Sequence, residues 1–242
     1  MRNAYRNSAR YYDLLYAWKN YRKEATIIRK LVRQNKASAG IELLEVACGT
    51  GNHIRYLKDY FSVTGTDINP YMLAIARKKF PKIPFRRSDM VTLSMGKQFD
   101  VILCLFSSIG YVKTLRNLDR TIHNFARHLK PGGVILIEPW LTKSEYKVGG
   151  PHSDLFGDEN TKIARLSISK IRGTLSILDL HHLVALRNIG VKYFVEHHEL
   201  SMFETQDFLR LMKKSGLHAS FRKSGFGYDR GIYVGVKGRT LS

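Results

Sequence analysis

Acidic residues are scarce in this chain. Its 20 Asp and Glu face 40 Lys and Arg, a net charge of +20 over 242 residues. Cysteine is scarcer still, with Cys48 and Cys104 alone and both inside apolar, strand-like runs. That usage excludes a disulfide-built scaffold and reads as two small buried hydrophobes, as in a cytoplasmic enzyme. No apolar run approaches the roughly 18 residues a membrane helix needs. The opening "MRNAYRNSAR" has no apolar core and is not a secretory signal. Low-complexity linkers and internal repeats are also missing. The excess positive charge gathers at the ends: residues 1–40 carry ten Lys or Arg against two acids, and residues 205–242 carry eight against two. A charge of this kind fits a habit of surface composition, attraction of an anionic small molecule, or attraction of nucleic acid. No zinc-knuckle or arginine–aromatic repeat accompanies it to favour the last.

What is present is an ordinary globular balance, 44% hydrophobic and 25% charged. Residues 7–36 carry a helical pattern, with Ala25, Ile28, Leu31 and Val32 on one face. Strand and helix then alternate from 41 to 139: "IELLEVAC", "NHIRYLKDY", "SVTGTD", "NPYMLAIARKKF", "PFRRSDM", "FDVILCLFS", "LRNLDRTIHNFARHL" and "VILIEP", the last set off by the turn "PGG". Alternation of this kind predicts a parallel sheet with helices on both faces. Asn69 and Pro70 mark a helix start. Between 161 and 203 the period changes to two, in three runs broken by "RG" and "NIG", which predicts an antiparallel insert. Thr205 is the expected cap of one more helix, stopped by Gly216, and two final runs complete the sheet.

The chemistry concentrates at strand exits. Gly49 and Gly51 follow the first strand as G-x-G, where a missing Cβ lets backbone approach a ligand. The third glycine of a dinucleotide fingerprint is absent, since Ile54 stands there, and Asn52-His53 exclude a P-loop. Asp67 ends the second strand, where a carboxylate can accept both ribose hydroxyls. Asp89 and Met90 leave the third, placed to take an adenine amino hydrogen and to lie against the ring. The ordered set describes an adenosyl site that makes no demand for phosphates. "NPY" at Asn69 begins a helix after strand 2 rather than leaving strand 4, so it is not a base-methylation motif. The pairs His181-His182 and His197-His198 put neighbours on opposite strand faces, so neither pair chelates one metal, and no metal is expected.

These residues carry a resemblance. "EVACGTG" and "LKPGGVILIEP" resemble the class I S-adenosylmethionine (SAM)-dependent methyltransferases, with Ala47 where many members have a first glycine. "YYDLLY", "YRKEA", "MLAIARKK", "FSSIGY", "EPW" and "DRGIYVG" further resemble the dTDP-amino-sugar N,N-dimethyltransferases, although Leu141 replaces a second aromatic after "EPW". The resemblance implies a Rossmann-like α/β fold with a seven-stranded, mostly parallel sheet and a small antiparallel β insert after strand 5. Its expected parts are an N-terminal helical lid over 1–40, a SAM domain over 41–140 and 205–242, and an acceptor-side insert over 141–204. It implies SAM as cofactor, S-adenosylhomocysteine (SAH) as product, and a small, anionic amine acceptor, with a homodimer as an open expectation. The cofactor residues it implies are Tyr12, Glu45, Ala47, Gly49, Gly51, Asp67, Ile68, Met72, Asp89, Met90, Leu105 and Phe106. Tyr12, Tyr111 and His198 are the catalytic candidates. Ser107, Tyr111, Glu138, Trp140, His182 and Arg230 are the substrate candidates, with Arg230 meeting a diphosphate. Two other readings remain at this level: a methyltransferase of RNA or a ribosomal protein, and an inactive nucleoside-binding protein.

Overall fold

The structure, a computed structural model, describes residues 5–227 and 230–238. Tyr228 and Asp229 of the "YDRG" run lie outside the described residues. In chain order the elements are α1 (Tyr12–Leu15), α2 (Tyr21–Asn35), β1 (Glu42–Val46), α3 (Ile54–Leu57), β2 (Ser62–Asp67), α4 (Pro70–Lys79), β3 (Phe85–Arg87), β4 (Phe99–Cys104), α5 (Leu115–His128) and β5 (Leu129–Ile137). Then come β6 (His152–Gly157), β7 (Thr161–Arg172), β8 (Leu175–Leu186), β9 (Gly190–Ser201), α6 (Thr205–Lys214), β10 (Leu217–Arg222) and β11 (Ile232–Lys237).

Seven strands form one sheet in the order β10-β11-β5-β4-β1-β2-β3, parallel except for β11, which runs antiparallel to both β5 and β10. Each central strand feeds two cores, because successive side chains point to opposite faces. Ile102, Cys104, Ile135 and Ile137 pack with α5 and α6, whereas Val101, Leu103, Val134 and Leu136 pack with α2, α3 and Leu73 of α4. The chain runs from β1 outward to β3, then crosses back to β4 on the other side of β1. The exits of β1 and β4 therefore flank the crevice where such sheets bind ligands.

The predicted single helix over 7–36 is broken. A short 3-10 turn (Ala9–Tyr11) runs into α1, the chain turns at 16–20, and α2 starts afresh with the Asn20 side chain accepting from the Lys23 amide at 2.9 Å. The first part brings Tyr5 and Tyr12 to the crevice, and the start of α2 adds Tyr21 to its lining. Helix α2 lays Ala25, Ile28, Leu31 and Val32 on the main sheet. Thr205 does not cap α6 either. Glu204 holds that position and the cap has no side-chain bond. Asn69 does cap α4, accepting from the Tyr71 and Met72 amides.

The insert has four strands, β6-β7-β8-β9, one more than the period-two runs suggest. Its inner face buries Ile163 and Val184 against Tyr11 and Leu15, which fastens the N-terminal segment to the insert. The histidine pairs alternate as strand geometry requires. His181 and His197 face outward to Tyr193 and Asp179, while His182 and His198 are buried on the inner face.

Candidate active site

The floor of the site is the corner after β1. Ala47 has φ 56°, a left-handed conformation that costs a Cβ-bearing residue about 1 kcal/mol, which explains the preference for glycine there. Gly49 (φ 55°) faces the cavity, and a Cβ on it would meet the Tyr12 ring at 4.0 Å. Gly51 (φ 80°) is confined instead by the Phe80 ring, 3.0 Å from where its Cβ would sit. Asp67, at the tip of β2, accepts from the Gly49 and Asn69 amides, both at 2.8 Å. Each carboxylate oxygen keeps a further lone pair. Burial raises this carboxyl against the pull of its amide donors. Ile68, Met72 and Met90 complete a hollow under Tyr5 and Tyr12.

At its far end, past Ala47 and Gly49, the hollow continues to Glu45, Tyr21, His53 and Leu105. His53 lies between two carboxylates, with Nε2 2.7 Å from Glu24 and Nδ1 3.3 Å from Glu45. Burial opposes a charge on the ring, but the hydrogen bonds to Glu24 and Glu45 prevail and lift its pKa to about 9. Buried Lys19 pairs with Glu24 as well. Two buried polar atoms here have no partner among the described residues: Glu45 Oε2 and the Tyr21 hydroxyl. A buried carboxylate oxygen and a hydroxyl left open beside a cavity fit the ammonium of an amino acid.

Beyond Phe106 a second hollow opens between the main sheet and the insert. Phe106 and Ser107 leave β4 in consecutive left-handed conformations (φ 51° and 61°). That strain is held by Glu138, which accepts from the Phe106 amide at 2.6 Å, and by the Ser107 hydroxyl donating to the Pro139 carbonyl. The wall is Trp140, whose indole donates to Ser176. The Arg230 guanidinium lies 4.8 Å from the Trp140 ring centre and donates to the Ser107 hydroxyl at 3.0 Å. Where the hollows meet, the Tyr111 hydroxyl is 3.1 Å from the Tyr5 hydroxyl and 2.7 Å from His198 Nδ1.

Residues 43–133 match the methyltransferase domain family. The dTDP-3-amino-3,6-dideoxy-alpha-D-glucopyranose N,N-dimethyltransferase of Streptomyces fradiae is 34% identical over 233 residues, 95% of this chain and 91% of that protein. Among solved structures, Streptomyces venezuelae DesVI superposes with a TM-score of 0.89 at 33% identity, covering 96% of this chain and 98% of its own. A SAM-bound amino pentose methyltransferase from Micromonospora echinaspora reaches 0.81 at 29% identity, covering 90% and 92%. This chain belongs to the SAM-dependent methyltransferases.

In the methyltransferase, Tyr12, Ala47, Gly49, Asp67, Ile68, Met72, Met90 and Phe106 surround the first hollow, and Glu45 and Leu105 its far end. Ser107, Tyr111, Trp140, His198 and Arg230 surround the second. Four expected residues are not among those lining the hollows. Gly51 shapes the corner. Asp89 accepts from the Val91 amide and caps the turn (Met90–Thr92) that presents Met90. Glu138 anchors the β4 exit and is 1% exposed. His182 stacks on Phe194, with ring centres 4.7 Å apart. Tyr5, Tyr21, His53, Glu24 and Glu196 were not singled out by sequence reasoning. Glu196 had a signal, since a period of two puts it on the His198 face, whereas Glu199 turns outward to Lys113 and Arg172. Among the described residues no helix is long and apolar enough to cross a membrane.

Proposed function

We propose that the methyltransferase acts on the amine of a nucleotide-linked amino sugar, seated in the second hollow with its nitrogen at Tyr111. When bound, SAM supplies a methyl group already activated by its sulfonium, which an unprotonated amine displaces. The protein's work is alignment, exclusion of water and removal of a proton. Glu45 and Tyr21 receive the amino-acid end, Asp67 the ribose hydroxyls, and Met72 and Met90 the base. Tyr5, Tyr12 and Phe106 shield the passage between the hollows. The observation that carries the proposal is the Tyr111–His198 pair, a hydroxyl 2.7 Å from an imidazole nitrogen where the two hollows join.

Burial pushes the Tyr111 hydroxyl above its ordinary range, so it stays protonated and serves as a relay. It takes the amine's proton at its oxygen while passing its own to His198 Nδ1. Arg230 and the surrounding positive field hold the diphosphate, which gives the basic charge a role. We also propose that a second copy packs on the insert's outer face. There Leu155, Leu166, Ile168, Leu183, Val191 and Tyr193 are all 45% or more exposed. Their open area is roughly the 800 Å² per partner of a standard interface. Sedimentation of the Tyr193→Lys protein as a monomer beside a wild-type dimer supports this, and a monomeric wild type overturns it. Both proposed substrates are charged and do not cross a bilayer unaided, so the reaction is placed in the cytoplasm.

The deciding experiment incubates the protein with SAM and a panel of dTDP-amino sugars and reads methylated sugar by mass spectrometry. Methyl gain at the amine is expected. SAH formation that requires RNA or ribosomal protein, with every sugar unchanged, overturns the proposal.

A further inference from the structure

We propose that Glu196 is a positioning residue that couples seating of the N-terminal segment to proton acceptance by His198. Glu196 lies on β9 two residues before His198 and on the same buried face, 4% exposed. Its carboxylate grips the N-terminal segment at one residue. Oε1 accepts from the Ser8 amide at 3.2 Å, and Oε2 accepts from the Ser8 hydroxyl at 2.7 Å. The same Oε2 lies 3.7 Å from His198 Nε2, an atom with no hydrogen-bond partner among the described residues. The imidazole is thus spanned, with the Tyr111 hydroxyl at Nδ1 and a carboxylate beside Nε2.

A carboxylate on that side favours the tautomer with hydrogen on Nε2, which leaves Nδ1 as the acceptor. It also stabilises the imidazolium that forms once the Tyr111 proton arrives. Burial alone would raise the Glu196 carboxyl, but His198 and Ser8 hold it below its ordinary range, so the charge is in place. Ser8 belongs to the segment that brings Tyr5 and Tyr12 over the first hollow. Lifting that segment removes two donors from Glu196 and the Tyr5 hydroxyl from Tyr111 in one movement. Proton acceptance is therefore assembled only when the cofactor is covered.

Other titratable or charged groups face this corner. Tyr5 and Tyr16 come from the N-terminal segment and Tyr111 from the turn after β4. His152 and Asp154 come from β6 and Arg165 from β7, with Asp154 pairing to both, and Arg230 comes from the approach to β11. His182 comes from β8, and burial keeps it neutral. Glu196 is the one anion among them not already neutralised by an arginine.

The inference rests on the proposed proton path through Tyr111 and His198. The test compares kcat against pH, and the rate of SAH release, for wild type, Glu196→Gln, Ser8→Ala and His198→Gln. Glutamine keeps the shape but removes the negative charge. The acid limb of kcat in Glu196→Gln should move about one pH unit lower, because the imidazolium loses its counter-ion. SAH should leave several-fold faster from Ser8→Ala, which removes the Ser8 hydroxyl bond, and from Glu196→Gln, which replaces charge-assisted bonds to Ser8 with weaker neutral ones. Ser8→Ala probes the link without altering the buried carboxylate, which guards against a folding defect in the first variant. An acid limb lost in His198→Gln but unmoved in Glu196→Gln, or SAH release unchanged in both link variants, overturns the coupling while leaving the proton path intact. A His198→Gln protein with wild-type kcat and pH profile overturns both.

Discussion

His53 is buried at the far end of the first hollow, and its pKa of about 9 lies well above the ordinary value of 6.5. A group whose folded pKa is raised contributes stability that is fully present below the unfolded pKa and is lost as pH rises through the folded one. Here the window runs from about 6.5 to about 9. A difference of two to three units corresponds to about 3 kcal/mol, because each unit is worth about 1.4 kcal/mol. Nearly full burial of the ring leaves little screening to reduce that figure. Against a total stability of about 5–15 kcal/mol the loss is large. Urea midpoints measured at pH 6 and pH 9.5 should therefore differ by roughly 1 M, taking a slope of about 2–3 kcal/mol per M. The His53→Gln protein should be less stable than wild type at pH 6 and should lose most of the pH dependence across this window. An equal fall in midpoint for both proteins would refute the assignment of a buried imidazolium between Glu24 and Glu45.

Three further outcomes follow from the site. Asp67→Ala should weaken SAM binding by about 2 kcal/mol, roughly thirtyfold in Kd by calorimetry, through loss of charge-assisted bonds to the ribose; unchanged affinity removes Asp67 from the site. Gly51→Ala should lower the melting temperature by about 3–6 °C, since φ of 80° and the Phe80 ring both oppose a Cβ, at a cost of about 1–2 kcal/mol. Arg230→Met should raise KM for a nucleotide sugar about tenfold while kcat stays within about twofold, as expected for a group that binds the diphosphate in ground and transition states alike. A kcat loss with KM unchanged would place Arg230 in the chemistry instead.

The sequence by itself determined the sheet and the cofactor corner. Alternating strand and helix patterns are local, and so are the residues the corner needs: Gly49 and Asp67 stand at their strand exits with little choice of partner. Backbone periodicity also put His181 and His182, and His197 and His198, on opposite faces of their strands. The single helix expected over 7–36 was two, because the apolar face of α2 keeps its period without showing where the helix starts. Asn20, a poor helix interior residue and a good cap, marked the break. Strand β6 was missed because "HSDLFG" alternates weakly and becomes a strand only by pairing with β7.

Tertiary structure alone decided which side chains meet. Ser8 and Glu196 are 188 residues apart in sequence, and Tyr5 and Tyr111 are 106 apart, yet both pairs share hydrogen bonds. Residue type did not reveal that Glu138 accepts from the Phe106 amide or that Asp89 accepts from the Val91 amide. A carboxylate serves a ligand or a backbone amide equally well, and only the fold's placement of donors chooses between them.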